Sequence, residues 1–220
     1  MSISLDEAVE LTRTGDVWVF RGRSVPDRAI QLTTNSPVNH VGMAVVLDDM
    51  PPLMWHAELG RSLPDMWTGA HQRGVQLHDL RDAVCVWANR YGQKAWLRQL
   101  EPPAGPDREQ AVLRTIARLD GTPFPSTAQL AWRWARGRVP RVRVPHPGRR
   151  DASPAPVPDR ALETAYCAEV VAVTYEAMGL LPPGRRPNWY DPGRFWSGDD
   201  LDLTGDARLG KEIEVRIPPR

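Results

Sequence analysis

Two residues far apart in the chain carry the chemistry this sequence can offer: Cys167, in the run TAYCAEVVAVTYEAMGL, and His40, in SPVNHVGMAVV. A thiol becomes a working nucleophile when a base stands within hydrogen-bond reach to take its proton. Cys167 begins an apolar run in which Val170, Val171, Thr174 and Met178 fall on its own helical face. The spacing predicts a helix over residues 167–178, stopped by Gly179. Thr164 is a candidate cap, which places the thiol in the first turn. There the free N–H groups and the positive end of the helix dipole favour a thiolate and lower its pKa. The same N–H groups suit the oxyanion of a tetrahedral intermediate. His40 begins a strand, HVGMAVVL, and Gly42 leaves room beside it on the same face.

A second strand, LMWHAE over residues 53–58, follows a turn at residues 48–52. Met54, His56 and Glu58 alternate onto one face, so His56 or Glu58 can hold the imidazole of His40 and fix its tautomer. Register decides between them. A symmetric hairpin centred near Asp49 places Glu58 opposite His40, whereas a bulge at Pro51 and Pro52 brings His56 there. His71 and His78 read as structural residues in loop-like settings, and His146 as part of a basic stretch. Cys85 is the second of two cysteines, too few for a disulfide framework. No C-x-x-C or H-x-x-x-H spacing occurs, so no metal site is expected. Neither a phosphate-cradling glycine motif nor a G-x-S-x-G elbow is present, and no cofactor is expected.

The elements that must position these residues follow from periodicity and punctuation. Ser4 and Glu7 have capping-box spacing ahead of a short helix over residues 5–12. VWVF, residues 17–20, reads as a buried strand. A short helix is expected over residues 27–32, a third strand around 74–77 and a fourth at 84–88, which makes the front half an antiparallel meander. Asp107 is a candidate cap for a helix over residues 108–119, and a shorter helix is expected at 126–136. Residues 137–159, rich in Arg and Pro, read as an exposed excursion, and residues 182–220 as an irregular tail. The expected fold class is α+β: one domain over residues 1–220, with an antiparallel sheet packed against the helix that bears the nucleophile.

These motifs, taken in order, resemble the NlpC/P60 superfamily in its circularly permuted, papain-like branch, which includes YiiX/YebB-like and lecithin retinol acyltransferase-like proteins. The matching stretches are GDVWVF, NHVGMAVVL, MWHAE and YCAEVVAVTYEAMGLL. In that branch the strand bearing the base precedes the nucleophile helix. The resemblance implies Cys167 as nucleophile, His40 as base in the H-V-G motif and His56 at the position of the third polar residue. DGTPF, residues 120–124, resembles the segment after the family's middle helix. The family's usual Cys-Ser-Glu reads Cys167-Ala168-Glu169 here.

The resemblance implies acyl transfer through a thioester: an amidase or peptidase if water finishes the cycle, an acyltransferase if a lipid or amine does. The substrate is then an amide- or ester-containing small molecule, peptide or lipid. A catalytically silent binding module of the same fold is the alternative. Its support is the run containing Trp132, Trp134, Arg136, Arg138, Arg141 and Arg143, which suits an anionic partner or a membrane surface. A lipid-acting enzyme would want an apolar entrance, for which Trp55, Trp67, Trp189 and Trp196 are candidates. Composition argues against nucleic acid: 28 basic residues nearly cancel 27 acidic ones. With neither a signal-peptide pattern nor an apolar run of membrane length, the expected location is the cytoplasm, where a free thiol survives.

Overall fold

A computed structural model describes residues 2–22, 37–58, 60, 62–123, 167–196 and 201–219. The helices expected at 27–32 and 126–136, the excursion at 137–159, Thr164 and His146 lie outside the described residues. So do Trp132, Trp134 and the arginines around them.

The chain builds a mixed α+β fold around one seven-stranded sheet. In chain order the elements are β1 (Ser2–Ser4), α1 (Leu5–Leu11), β2 (Val17–Arg21), β3 (His40–Val45), β4 (Leu53–Glu58), β5 (Gly74–Asp79), α2 (Leu80–Tyr91), β6 (Lys94–Arg98), β7 (Leu100–Glu101), α3 (Pro106–Leu119), α4 (Cys167–Ala177), β8 (Arg208–Leu209) and β9 (Ile213–Arg216). The large sheet runs β1-β9-β6-β2-β3-β4-β5, and β7 and β8 form a separate pair. All neighbours in the large sheet are antiparallel except β1 and β9.

Strand alternation sorts the core into two layers. Val17, Val19, Val41, Met43, Leu53, Trp55, Val75 and Leu77 face α4 and α3. Trp18, Phe20, Ala44, Met54, Ala95 and Leu97 face α2 and α1. Because side chains in a strand alternate strictly, each sheet residue belongs to one layer only. Helix α4 is buried nearly all round, from Cys167 to Tyr175. Seating each of its valines is worth roughly 1.5–3 kcal/mol. Trp55 Nε1 ties the helix to the sheet by donating to Thr174 Oγ1 at 3.1 Å. The tryptophan is therefore core, and not the lining of an entrance. At the opposite end Tyr175 donates its hydroxyl proton to the carbonyl of Gly15 at 2.6 Å.

Several elements follow the sequence expectation. The backbone N–H of Glu7 donates to Ser4 Oγ at the start of α1. Gly179, with φ +70°, follows the end of α4. Three expectations are corrected. Residues 84–88 are not a strand but the middle of α2. Asp79 caps that helix by accepting from the N–H of Asp82, Gly92 ends it in the left-handed region, and Leu80, Ala83, Val84 and Trp87 make its buried face. A short apolar run does not distinguish strand from helix, and here the cap and the i, i+3, i+4, i+7 spacing decide. Helix α3 begins at Pro106 with Gly105 at its N-cap, so Asp107 lies within the first turn and does not cap it. Finally, residues 182–220 are not structureless. They hold two 3₁₀ turns, Pro187–Trp189 and Pro192–Phe195, and strand β9, which sits between β1 and β6. No helix among the described residues is long and apolar enough to cross a membrane.

Candidate active site

The hairpin of β3 and β4 sets the geometry. Met43 pairs with Trp55, Ala44 with Met54 and Val45 with Leu53, the unbulged symmetric register. Extended by the same register, Glu58 faces His40 and His56 faces Gly42. The imidazole of His40 nevertheless bonds to His56, with Nε2 3.2 Å from His56 Nδ1. The ring reaches diagonally because Gly42, on the same face, has no side chain to stand between them. Glu58 is engaged elsewhere, accepting from Ser62 Oγ at 2.6 Å. The choice left open by the sequence therefore falls on His56.

The contact continues further into the sheet. His56 Nε2 lies 3.1 Å from His78 Nδ1, and His78 Nε2 lies 3.2 Å from Gln76 Oε1. His78 is thus neither in a loop nor a bystander: it sits on β5, opposite Met54, while Gln76 sits opposite His56. The signal was present in the sequence, since the alternation that puts Gln76 and His78 on the His56 face continues past residue 77. Trp87 of α2 packs edge-on against both His40 and His56, at ring separations of 4.7 and 4.8 Å, and Phe20 flanks His40.

Burial holds these rings neutral. It pushes the His40 imidazole down to about 3, with the neighbouring His78 adding to the effect. It lowers His56 well below the usual histidine range, again with help from both flanking imidazoles. His78 is also lowered by burial, against the pull of Glu58 and Asp65.

Cys167 approaches the same strand from the α4 layer. The backbone N–H groups of Val41, Ala168 and Cys167 itself favour its thiolate. Val41 is the residue next to His40, and successive residues are only about 3.8 Å apart. Sulfur and imidazole therefore approach neighbouring residues of β3 from opposite faces of the sheet, His40 with its ring in the layer of Phe20 and Trp87, Cys167 in the layer of Val41. The described state does not bring the thiol and its expected base into contact. The thiol is 5% exposed. Burial pushes it up to about 12, outweighing the three N–H donors, and the nearby Glu169 raises it further. The expectation of a lowered pKa is overturned: loss of solvent costs the thiolate more than the amide dipoles return. Cys85 is also buried, on α2 in the other layer.

The candidate site thus has two parts, a sulfur beside backbone N–H groups on one face of the sheet and a chain of neutral imidazoles on the other. No group of three or more His, Cys, Asp or Glu residues suited to hold a metal occurs among the described residues. Within the imidazole chain the successive contacts are nitrogen to nitrogen at hydrogen-bond length, which suits protons and leaves no common point for a cation. Asp120, in the segment expected to match the family's post-helix motif, has its carboxyl raised to about 6 by burial and by Asp65.

No protein-family model matches the chain. No curated protein matches it either. Among solved structures it is similar to the crystal structure of the metalloprotein YiiX from Escherichia coli O157:H7 (DUF1105), at 21% identity and a TM-score of 0.48. That match covers 75% of this chain and 65% of the other, so the chain spans just under two thirds of YiiX.

Proposed function

We propose that this chain is a cysteine-dependent hydrolase of amides or esters, with Cys167 as nucleophile, His40 as base and His56 holding the base, in the circularly permuted papain-like arrangement of the NlpC/P60 superfamily. One observation carries the reading: the N–H of Val41, the residue that follows His40 in β3, favours the Cys167 thiolate, so both residues converge on one stretch of β3, from opposite faces of the sheet. A buried chain of imidazoles supports it, since apolar packing alone would fill this layer at less cost than desolvated polar rings.

The reaction balances as follows. Substrate entry must first bring the sulfur and His40 Nδ1, which the described state holds in opposite layers of the sheet, within reach of each other. The Sγ–H proton then passes to His40 Nδ1 while sulfur bonds to the carbonyl carbon and the carbonyl electron pair moves to oxygen. The backbone N–H of Cys167, in the first turn of α4, contributes to the oxyanion hole that receives that charge in this reading. Collapse re-forms the carbonyl and breaks the C–N or C–O bond, and His40 returns the proton to the leaving amine or alcohol. Water then gives a proton to His40 and its oxygen to the thioester carbon. The C–S bond breaks and the sulfur regains its proton. A lipid or amine acceptor in place of water makes the same site an acyltransferase.

With the thiol at about 12 and the imidazole at about 3, the resting thiol keeps its proton and His40 stays neutral. The described state is accordingly closed, and substrate entry must expose the sulfur. That same closure favours a second reading, a binding module that keeps the fold without turnover. Profiling against a mixed amide and ester library separates the two. Turnover that is absent in Cys167→Ala supports the hydrolase, and binding without turnover in the unmodified chain supports the module.

A further inference from the structure

Beyond the three residues of that reading, the geometry points to Gln76 and His78 as positioning residues that fix the tautomer of His40 and leave its Nδ1 as the basic nitrogen; the inference rests on His40 being the base. The argument starts from a side-chain amide whose orientation has no freedom. Gln76 Nε2 lies 3.1 Å from the carbonyl oxygen of Gln72 and 3.4 Å from that of Gly74. Both are acceptors only, so the NH₂ group must face them and Oε1 must face His78. Gln76 is fully buried, and no solvent offers it another arrangement.

The rest follows one proton at a time. Oε1 cannot donate, so His78 Nε2 carries a hydrogen, 3.2 Å away. A neutral His78 then has its lone pair on Nδ1, which accepts from His56 Nε2–H at 3.1 Å. A neutral His56 has its lone pair on Nδ1, which accepts from His40 Nε2–H at 3.2 Å. His40 is left with Nδ1 unprotonated. The hydrogens are assigned from this network, in which one fixed carbonyl sets the direction of every link. The groups facing His78 from around the chain are Glu58, Asp65 and His71, with the carbonyl of Leu63 as a further acceptor beside the ring. The two carboxylates favour charging His78, while burial opposes it.

The test reads tautomers directly. Full-length Cys167→Ala protein, labelled with ¹⁵N in its histidine rings, is examined by two-bond ¹⁵N–¹H correlation NMR across a pH series. His40, His56 and His78 are expected as neutral Nε2–H tautomers at pH 7, and Gln76→Leu is expected to give His40 a measurable Nδ1–H population. Gln76→Glu, which keeps an acceptor toward His78, is expected to restore the single tautomer. The inference is overturned if His40 carries its proton on Nδ1, if His78 is doubly protonated at pH 7, or if folded Gln76→Leu leaves the His40 tautomer unchanged. Should Gln76→Leu fail to fold, the unsubstituted Gln76 spectrum and the Gln76→Glu spectrum still decide. Because the protein lacks the thiol, the outcome is independent of turnover. Correct tautomers in a protein without activity would count against the hydrolase alone.

Discussion

Met54 fills the space that a side chain at residue 42 would take: a methyl group added to Gly42 would overlap Met54 Sδ and sit 3.4 Å from His56 Cβ. Gly42 therefore clears the diagonal between His40 and His56 and at the same time seats Met54 in the layer under α2. Gly42→Ala is expected to destabilise the fold by about 1–3 kcal/mol through overpacking. In a chain of 220 residues that lowers Tm by about 2–4 °C per kcal/mol. Calorimetry checks it, with Gly42→Ala/Met54→Val expected to recover part of the loss. An unchanged Tm in the single variant would show that the gap is not needed.

The buried imidazoles predict an acid-sensitive fold. His40 titrates near 6.5 when unfolded and near 3 when folded, so below about pH 6.5 the unfolded state binds more protons. Its stability contribution is complete above that pH and is lost as pH falls toward 3. Asp16 acts in the opposite sense, because burial raises its carboxyl to about 6 and the folded state then binds the extra proton between 6 and 3.8. Comparing the Tm–pH curve of the unmodified chain with that of His40→Phe cancels the Asp16 effect. The unmodified chain is expected to lose stability more steeply between pH 6.5 and 4. Parallel curves would contradict neutral burial of His40.

The thiol should behave as a sealed one. With its pKa raised to about 12, the labelling rate of Cys167 by iodoacetamide is expected to be slow at pH 7 and to rise about tenfold per pH unit up to pH 10. Peptide mass spectrometry of timed samples, with denatured protein as the reference for full labelling, measures this. A rate that levels off below pH 8 would mean a stabilised thiolate and would contradict the closed resting state.

Much of this architecture was legible in the residues. The capping pair Ser4 and Glu7, the alternation of HVGMAV and LMWHAE, and the apolar face of the Cys167 helix each express a local rule that tertiary packing did not override. What was missed depended on longer range. VCVWA reads equally as strand or helix until the cap at Asp79 is weighed against it. The C-terminal IEVR is too short to identify alone, and it becomes a strand because β1 and β6 flank it. His56 was separable from Glu58 only through the diagonal reach over Gly42. The thiol pKa is not legible in the sequence, because helix-end dipoles can be inferred from it, while the desolvation that opposes them depends on how the layers close over the sulfur.

The most direct test of the account is intact-protein mass spectrometry after brief mixing with activated esters and amides of small acyl groups, quenched in acid to preserve thioesters. The unmodified chain is expected to gain the acyl mass on Cys167. Cys167→Ala should gain none, and His40→Ala should gain it about 10²–10⁴-fold more slowly, as loss of a general base requires. Acyl mass on Cys167→Ala equal to that on the unmodified chain, or an unmodified chain that stays free of adduct with every substrate, would contradict a nucleophile at this position.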